Sequence, residues 1–266
     1  MKNKKFLWIA IVTILLVTAL IFFVPTMAGA IAQIIILTIP ILAFGQKKVF
    51  AFSFKSFFET FVVGGVMTIA TAYYLMTNIH KGINEFGTAP LDIKVLIPYL
   101  VFLFIGAGVQ EELLTRGFFF TFLRKAFGNT KASYIAAITI SSTYFGVIHL
   151  ANLITGNDTE ATISQAIYAI GIGFFLGALY IRTGNLWANM VLHFLFDLGV
   201  MIYPVLFAKM DMATQKGDMI KAWLGEGIVI KAIILCIATF ALGLFLIRDS
   251  KLKPIIEAEE REERAA

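Results

Sequence analysis

Long apolar runs separated by short polar segments form the dominant pattern along this chain. A membrane crossing needs about 20 apolar residues, and it must be helical because lipid offers the backbone no hydrogen-bond partner. The pattern therefore predicts an all-α, polytopic membrane protein with about eight transmembrane helices. The predicted helices cover residues 6–24, 27–44, 57–79, 96–118, 136–155, 161–181, 186–207 and 228–247.

The first apolar run follows Lys2, Lys4 and Lys5, an arrangement that also occurs in secretory signal peptides. Its apolar stretch is longer than the usual core of a signal peptide, roughly 7–15 residues, and a second apolar run follows almost at once. We therefore expect the first run to be a retained membrane anchor.

Composition agrees with a membrane protein, since 59% of the residues are hydrophobic. Sixteen of the 22 Lys and Arg residues lie on the same side of the predicted bundle as the amino terminus. Because cytoplasmic segments carry the excess of Lys and Arg, both termini are expected in the cytoplasm. We expect a multi-pass protein of the plasma membrane. The net charge of +5 follows from this asymmetry, so we infer the lipid bilayer as partner and no nucleic acid.

Three charged residues interrupt the fourth predicted span: Glu111, Glu112 and Arg116. A charge near the bilayer centre costs about 2.5–3.5 kcal/mol on insertion scales, so such a cluster indicates function. A spacing of four places Glu112 and Arg116 on one helix face, where they can pair. Glu111 points about 100° away, toward the bundle interior, and is the candidate general base.

Two histidines lie in other predicted spans, His149 four residues after Phe145 and His193 four residues before Asp197. Counted along the helices, Glu111 and His193 both lie about 10 Å from the inner membrane boundary. His149 lies about 25 Å from it, unless residues 131–137 project into the cytoplasm and the helix continues to Thr155. A single histidine in a span can also be a hydrogen-bonding residue between helices.

These spaced residues, with a further motif before His193, resemble the CPBP family of intramembrane proteases. That family includes CAAX prenyl endopeptidases and bacteriocin-processing or self-immunity (Abi) proteins. The resemblance covers roughly residues 100–200. It rests on Glu111-Glu112-x-x-x-Arg116, Phe145-x-x-x-His149, Arg182-Thr183-Gly184-Asn185-Leu186-Trp187 and His193-x-x-x-Asp197.

The resemblance implies that Glu111 activates the attacking water and that Glu112 and Arg116 support it. It implies that His149 and His193 bind water or metal and stabilise the oxyanion. Asp197 stands where the family has Asn or Asp and would align the water. Phe145 would support the site or contact the substrate.

The family is classified among metalloproteases, and two histidines with a carboxylate match a catalytic zinc site. Zinc held by Glu111, His149 and His193 is one possibility. A metal-free mechanism based on glutamate and histidine is equally consistent with these residues. No HExxH motif is present in the sequence.

The sequence thus predicts an endopeptidase that cleaves near the carboxy terminus of a lipidated (CAAX-type) or membrane-associated peptide, with its cavity open to the cytoplasm. The alternatives are a membrane regulator or immunity protein that binds through the same groove, and a small transporter. We expect a prokaryotic protein with three parts: helices 1 to 3 in residues 1–95, a CPBP/Abi-like core in 96–250, and a charged, solvated cytoplasmic tail in 251–266.

Overall fold

The computed structural model describes residues 3–24, 26–210 and 215–265, and every regular element in these ranges is helical. Short 3-10 turns occur at Lys47–Phe50 and Ala89–Leu91. The main helices are α1 (Lys4–Phe23), α2 (Met27–Ala43), α3 (Phe54–Val63), α4 (Gly65–Phe86), α5 (Ile93–Phe127), α6 (Lys131–Leu153), α7 (Thr159–Thr183), α8 (Leu186–Phe207), α9 (Lys216–Leu224), α10 (Ile228–Leu246) and α11 (Asp249–Ala265).

The prediction of an all-α, multi-pass membrane protein is confirmed. Within the described ranges six helices, α1, α5, α6, α7, α8 and α10, are long and apolar enough to cross a membrane, and α3 with α4 adds a seventh if the pair is one bent span. The second predicted span, 27–44, corresponds to α2, whose 17 residues lie at the short end of what a bilayer requires.

The third predicted span is two helices, α3 and α4, which meet at an angle of 79°. Gly64 forms the corner, and a Cβ atom there would lie 2.9 Å from the carbonyl oxygen of Thr60 and 3.0 Å from a methyl group of Leu179. Only glycine therefore lets this corner pack closely against α7.

Helix α7 is the most buried of the candidate spans and packs against α6 and α10. It ends at Gly184, whose φ of 64° lies in the left-handed region that glycine adopts readily. Asn185 then caps α8, because its side-chain oxygen accepts a hydrogen bond of 3.0 Å from the backbone of Ala188. Consequently α8 reverses direction at once and returns beside the catalytic candidates of α5.

The carboxy-terminal segment forms α11, which lies against the bundle. Leu252 is fully buried there, and two ion pairs connect α11 to neighbouring helices: Glu259 with Arg124 at 2.8 Å and Asp249 with Lys131 at 2.6 Å. This contact differs from the solvated extension expected from the charges, because the charged residues alternate with an apolar face that the bundle covers.

Candidate active site

Helix α5 is irregular where it carries its charged residues. Two π-helical stretches, Phe104–Gln110 and Leu113–Phe120, meet at Glu111 and Glu112. Such widened turns are rare and occur frequently at functional sites. The sequence pattern predicted an ordinary span here, since hydrophobic periodicity does not distinguish π from α turns.

Glu112 and Arg116 form the predicted ion pair, with Arg116 Nη1 donating to Glu112 Oε1 at 2.7 Å. Both side chains are almost completely buried. The second arginine nitrogen, Nη2, donates to the carbonyl oxygen of Gly173 on α7 at 2.7 Å. Because a buried ion pair is tolerated only when its remaining polar atoms are satisfied, this contact fixes α5 against α7.

Asn189 also belongs to this network, although the sequence did not single it out. Its amide donates to the carbonyl oxygen of Leu176 at 2.7 Å and lies 3.4 Å from Glu112 Oε2. The feature of the sequence that could have indicated Asn189 is its position one helical turn before His193. Asn189 therefore links α7, α8 and the buried carboxylate.

His193 is oriented by Glu112, because its Nδ1 lies 2.9 Å from Glu112 Oε1. A carboxylate paired with arginine only accepts, so Nδ1 is the donor. The other ring nitrogen, Nε2, lies 3.8 Å from Glu111 and 3.9 Å from Asp197. Glu112, rather than Asp197, thus sets which nitrogen of His193 faces the remaining carboxylates.

His149 lies in the 3-10 turn that ends α6, and its Nδ1 donates to the carbonyl oxygen of Phe145 at 2.7 Å. The Phe145 ring packs edge-on against both histidines, with centroid distances of 4.9 Å to His149 and 5.9 Å to His193. Arg116 lies over the same ring at 5.2 Å. Phe145 therefore lies between the two imidazoles. The difference in depth expected for His149 and His193 does not prevent both from contacting the same side chain.

Glu111, His149, His193 and Asp197 line a single cavity of about 190 Å3. A neighbouring cavity of about 130 Å3 shares Glu111 and His149 with it. The remaining wall of the larger cavity is mostly apolar. It is formed by Phe102, Leu103, Gly106, Ala107, Phe145, Gln165, Tyr168, Ala169, Ile172, Phe196, Val200, Met201, Lys216 and Trp223.

The cavity extends toward the end of the bundle that is remote from both termini. Its wall includes residues near the start of α5 and α7, the end of α8, and α9. If both termini are cytoplasmic, the cytoplasmic opening expected from the sequence would require the cavity to extend toward the opposite end of the bundle. Lys216 and Trp223 also line the cavity. They lie between the seventh and eighth predicted spans, in a segment that no sequence pattern connected with the site.

Within the described ranges, no group of three or more His, Cys, Asp or Glu side chains is arranged to hold a metal ion. Glu111, His149 and His193 do not form such a group in this arrangement. The presence of zinc stays a prediction.

Residues 93–199 match the family model described as Type II CAAX prenyl endopeptidase Rce1-like. The match supports assignment of the chain to the CPBP family. The matched segment, about two fifths of the 266 residues, contains all six charged or histidine candidates of the CPBP-like site. The comparisons with curated proteins and with solved structures gave no match.

The CPBP assignment supports a general class of activity, that of a CAAX-type intramembrane endopeptidase. With the apolar helices, it also supports a peptide substrate and a lipid environment.

Proposed function

We propose that this protein hydrolyses a peptide bond near the carboxy terminus of a lipidated or membrane-associated peptide, with Glu111 as the general base. The observation that supports this most is that Glu111 and the imidazoles of His149 and His193 line one cavity, with Asp197 on the same wall. Peptide hydrolysis needs an activated water, a stabilised oxyanion and a proton for the leaving amine. These three groups can meet all three needs.

In the proposed reaction Glu111 removes a proton from water, and the water oxygen attacks the peptide carbonyl carbon. The carbon–nitrogen bond then breaks, and Glu111 passes the same proton to the leaving amine. His193, in the form with hydrogens on both ring nitrogens, donates through Nε2 to the oxyanion. His149 orients the attacking water with Nε2, since its Nδ1 is engaged by Phe145.

The buried residues would act indirectly. Glu112 holds His193 through Nδ1, and Arg116 holds Glu112. Asp197, 3.9 Å from Nε2 of His193, would align the water or the ring. Such support matters because small displacements of reacting groups reduce the rate strongly.

The test is cleavage of a fluorogenic farnesylated CAAX peptide by the purified protein in detergent. General base catalysis typically contributes 10²–10⁴-fold, so Glu111→Gln should lower kcat by about 100-fold or more. Glu226→Gln is the matched control, because Glu226 is exposed and does not line the cavity, and it should retain full activity. Undiminished cleavage by folded Glu111→Gln would reject Glu111 as the base.

A chelator tests the metal alternative with the same peptide. The metal-free reaction predicts unchanged kcat after incubation with a strong chelator and dialysis. Loss of activity that added zinc restores would instead support zinc at Glu111, His149 and His193. Absence of cleavage by folded wild-type protein would favour a binding role for the cavity.

A further inference from the structure

Lys216 is a cation that the proposed reaction does not use, although it lines both the larger and the smaller cavity. It is the first residue of α9 and is partly buried. Glu111, Phe145 and His149 are the other residues common to the two cavities. Lys216 therefore brings a positive charge to both of the cavities that Glu111, the candidate general base, lines.

The position of Lys216 is built into the fold. The backbone nitrogen of the next residue, Gly217, donates to Asn157 Oδ1 at 3.0 Å, and a Cβ atom on Gly217 would lie 3.0 Å from that of Asp158. One turn later, Lys221 forms an ion pair with Asp158 at 2.8 Å. These contacts hold the start of α9 on the loop between α6 and α7, beside His149.

The two lysines of α9, Lys216 and Lys221, differ in how their charges are balanced. Among residues of the described ranges, no carboxylate oxygen lies within 4 Å of its ammonium group, whereas Lys221 is paired with Asp158. A partly desolvated cation without a carboxylate in contact favours an anionic ligand, which restores the interactions that burial removes.

The rest of the wall specifies what kind of anion fits. Besides Lys216 and the catalytic candidates, the cavity wall is largely aliphatic and aromatic, with residues such as Leu103, Ile172, Phe196 and Met201. A short peptide with apolar side chains and a free terminal carboxylate has this distribution of chemistry. A phosphate or a metal complex would leave the apolar wall without a partner.

We propose that Lys216 binds the free C-terminal carboxylate of the peptide substrate and so selects bonds close to a carboxy terminus. This inference rests on the proposed function and adds the group that sets the position of cleavage. The leaving fragment would lie along the apolar wall, with its carboxylate at Lys216 and its new amino group near Glu111.

The experiment compares two fluorogenic peptides of identical sequence, one with a free C-terminal carboxylate and one with a C-terminal amide. Hydrogen bonds to charged groups contribute about 1.5–3 kcal/mol, so the wild-type protein should cleave the acid with a kcat/KM about 10- to 100-fold higher than the amide. Lys216→Gln should lower kcat/KM for the acid by a similar factor and leave that for the amide nearly unchanged.

Two further variants separate recognition from general electrostatics. Lys216→Arg keeps the charge and should retain most of the preference for the acid. Lys94→Gln removes an exposed lysine near the start of α5, away from the cavity, and should change neither rate. Equal losses for acid and amide in Lys216→Gln would overturn the proposal, because Lys216 would then act on the catalytic groups and not on the substrate.

Binding of the same two peptides, measured by fluorescence anisotropy, distinguishes failure of this inference from failure of the proposed function. Preferential binding of the acid that depends on Lys216, without cleavage, supports carboxylate recognition and rejects the protease. Cleavage of acid and amide at equal rates supports the protease and rejects carboxylate recognition. If neither peptide is bound or cleaved, both proposals are overturned.

Discussion

Two adjacent glutamates occupy opposite environments in this site. The Glu112 side chain is completely buried and contacts Arg116, His193 and Asn189, whereas 25% of the Glu111 side chain remains accessible. A carboxylate enclosed by three donors is suited to holding its neighbours, since its lone pairs are occupied. An accessible carboxylate at a cavity wall can approach water, so the two residues are suited to different roles.

The buried pair gives a prediction about stability. Arg116→Met leaves Glu112 as an unpaired buried charge, and breaking such a pair typically costs roughly 3–5 kcal/mol. The double variant Glu112→Gln with Arg116→Met removes both charges, and the amide oxygen of the introduced glutamine can still accept from His193. Thermal unfolding in detergent should therefore show the double variant to be more stable than Arg116→Met alone. A double variant as unstable as the single one would contradict this explanation.

Helical spacing was sufficient to predict some of these contacts. Glu112 and Arg116 are four residues apart on α5 and therefore share a helix face, where they pair. Glu111 is adjacent to Glu112 and therefore points in a different direction. The contact of Glu112 with His193 joins residues 81 positions apart, and its geometry depends on how α5 and α8 pack. Lys216 was missed for the same reason, since it reaches the cavity from a remote, polar segment.

At the level of elements, the motif from Arg182 to Trp187 acts as a structural connection between helices. Arg182 donates to the carbonyl oxygen of Leu246 at the end of α10, and Trp187 donates to that of Phe50. Asn185 donates to Ser53 while it caps α8. The motif thus fixes the position from which α8 presents His193, and it contributes to the site without touching it.

Asn185 provides a prediction with a matched variant. Asn185→Ala loses the helix cap, worth about 1 kcal/mol, and two side-chain donor contacts, each worth about 0.5–1.5 kcal/mol. Asn185→Asp keeps a capping oxygen but loses the donors to Ser53 and Ser56. We expect thermal stability to fall in the order wild type, Asn185→Asp, Asn185→Ala. Equal stability of the two variants would show that the cap contributes nothing.

Apolar length predicted where most helices lie but not their internal shape. The bend at Gly64 and the π-helical turns around Glu111 depend on close packing, which a hydropathy pattern does not record. Helix α9 lies between the seventh and eighth predicted spans and is not among the predicted helices, because it is short and contains charges. Its placement depends on Asn157 and Asp158, which belong to a different part of the chain.

For the whole molecule, charge distribution and cavity position must be considered together. The segments rich in Lys and Arg, near Lys47 and Lys125, lie at the end that carries both termini, and cytoplasmic segments of membrane proteins have this composition. The cavity extends toward the other end, where Asp158 and Lys216 lie. If charge sets the orientation, a substrate would enter the cavity from the non-cytoplasmic side.

Cysteine labelling in intact cells tests this orientation, and the chain is suited to it because Cys236 is its single cysteine. In a Cys236→Ala background, Asp218→Cys marks the end near α9, Lys47→Cys marks the opposite end, and Val200→Cys lies in the cavity wall. A charged, membrane-impermeant thiol reagent should label Asp218→Cys and Val200→Cys without permeabilisation and Lys47→Cys only after it.

Each pattern of labelling has a distinct physical meaning. Protection of Val200→Cys while Asp218→Cys reacts, with labelling restored by permeabilisation, would mean that the cavity opens to the cytoplasm despite its position near α9. Reversal of both end markers would mean that the positive charges do not set the orientation of this bundle. Reaction of Val200→Cys from outside would restrict substrates to peptides that present their carboxy terminus on the non-cytoplasmic side. Reduced labelling of Val200→Cys by a free-acid peptide, but not by its amide, would place the substrate in the cavity.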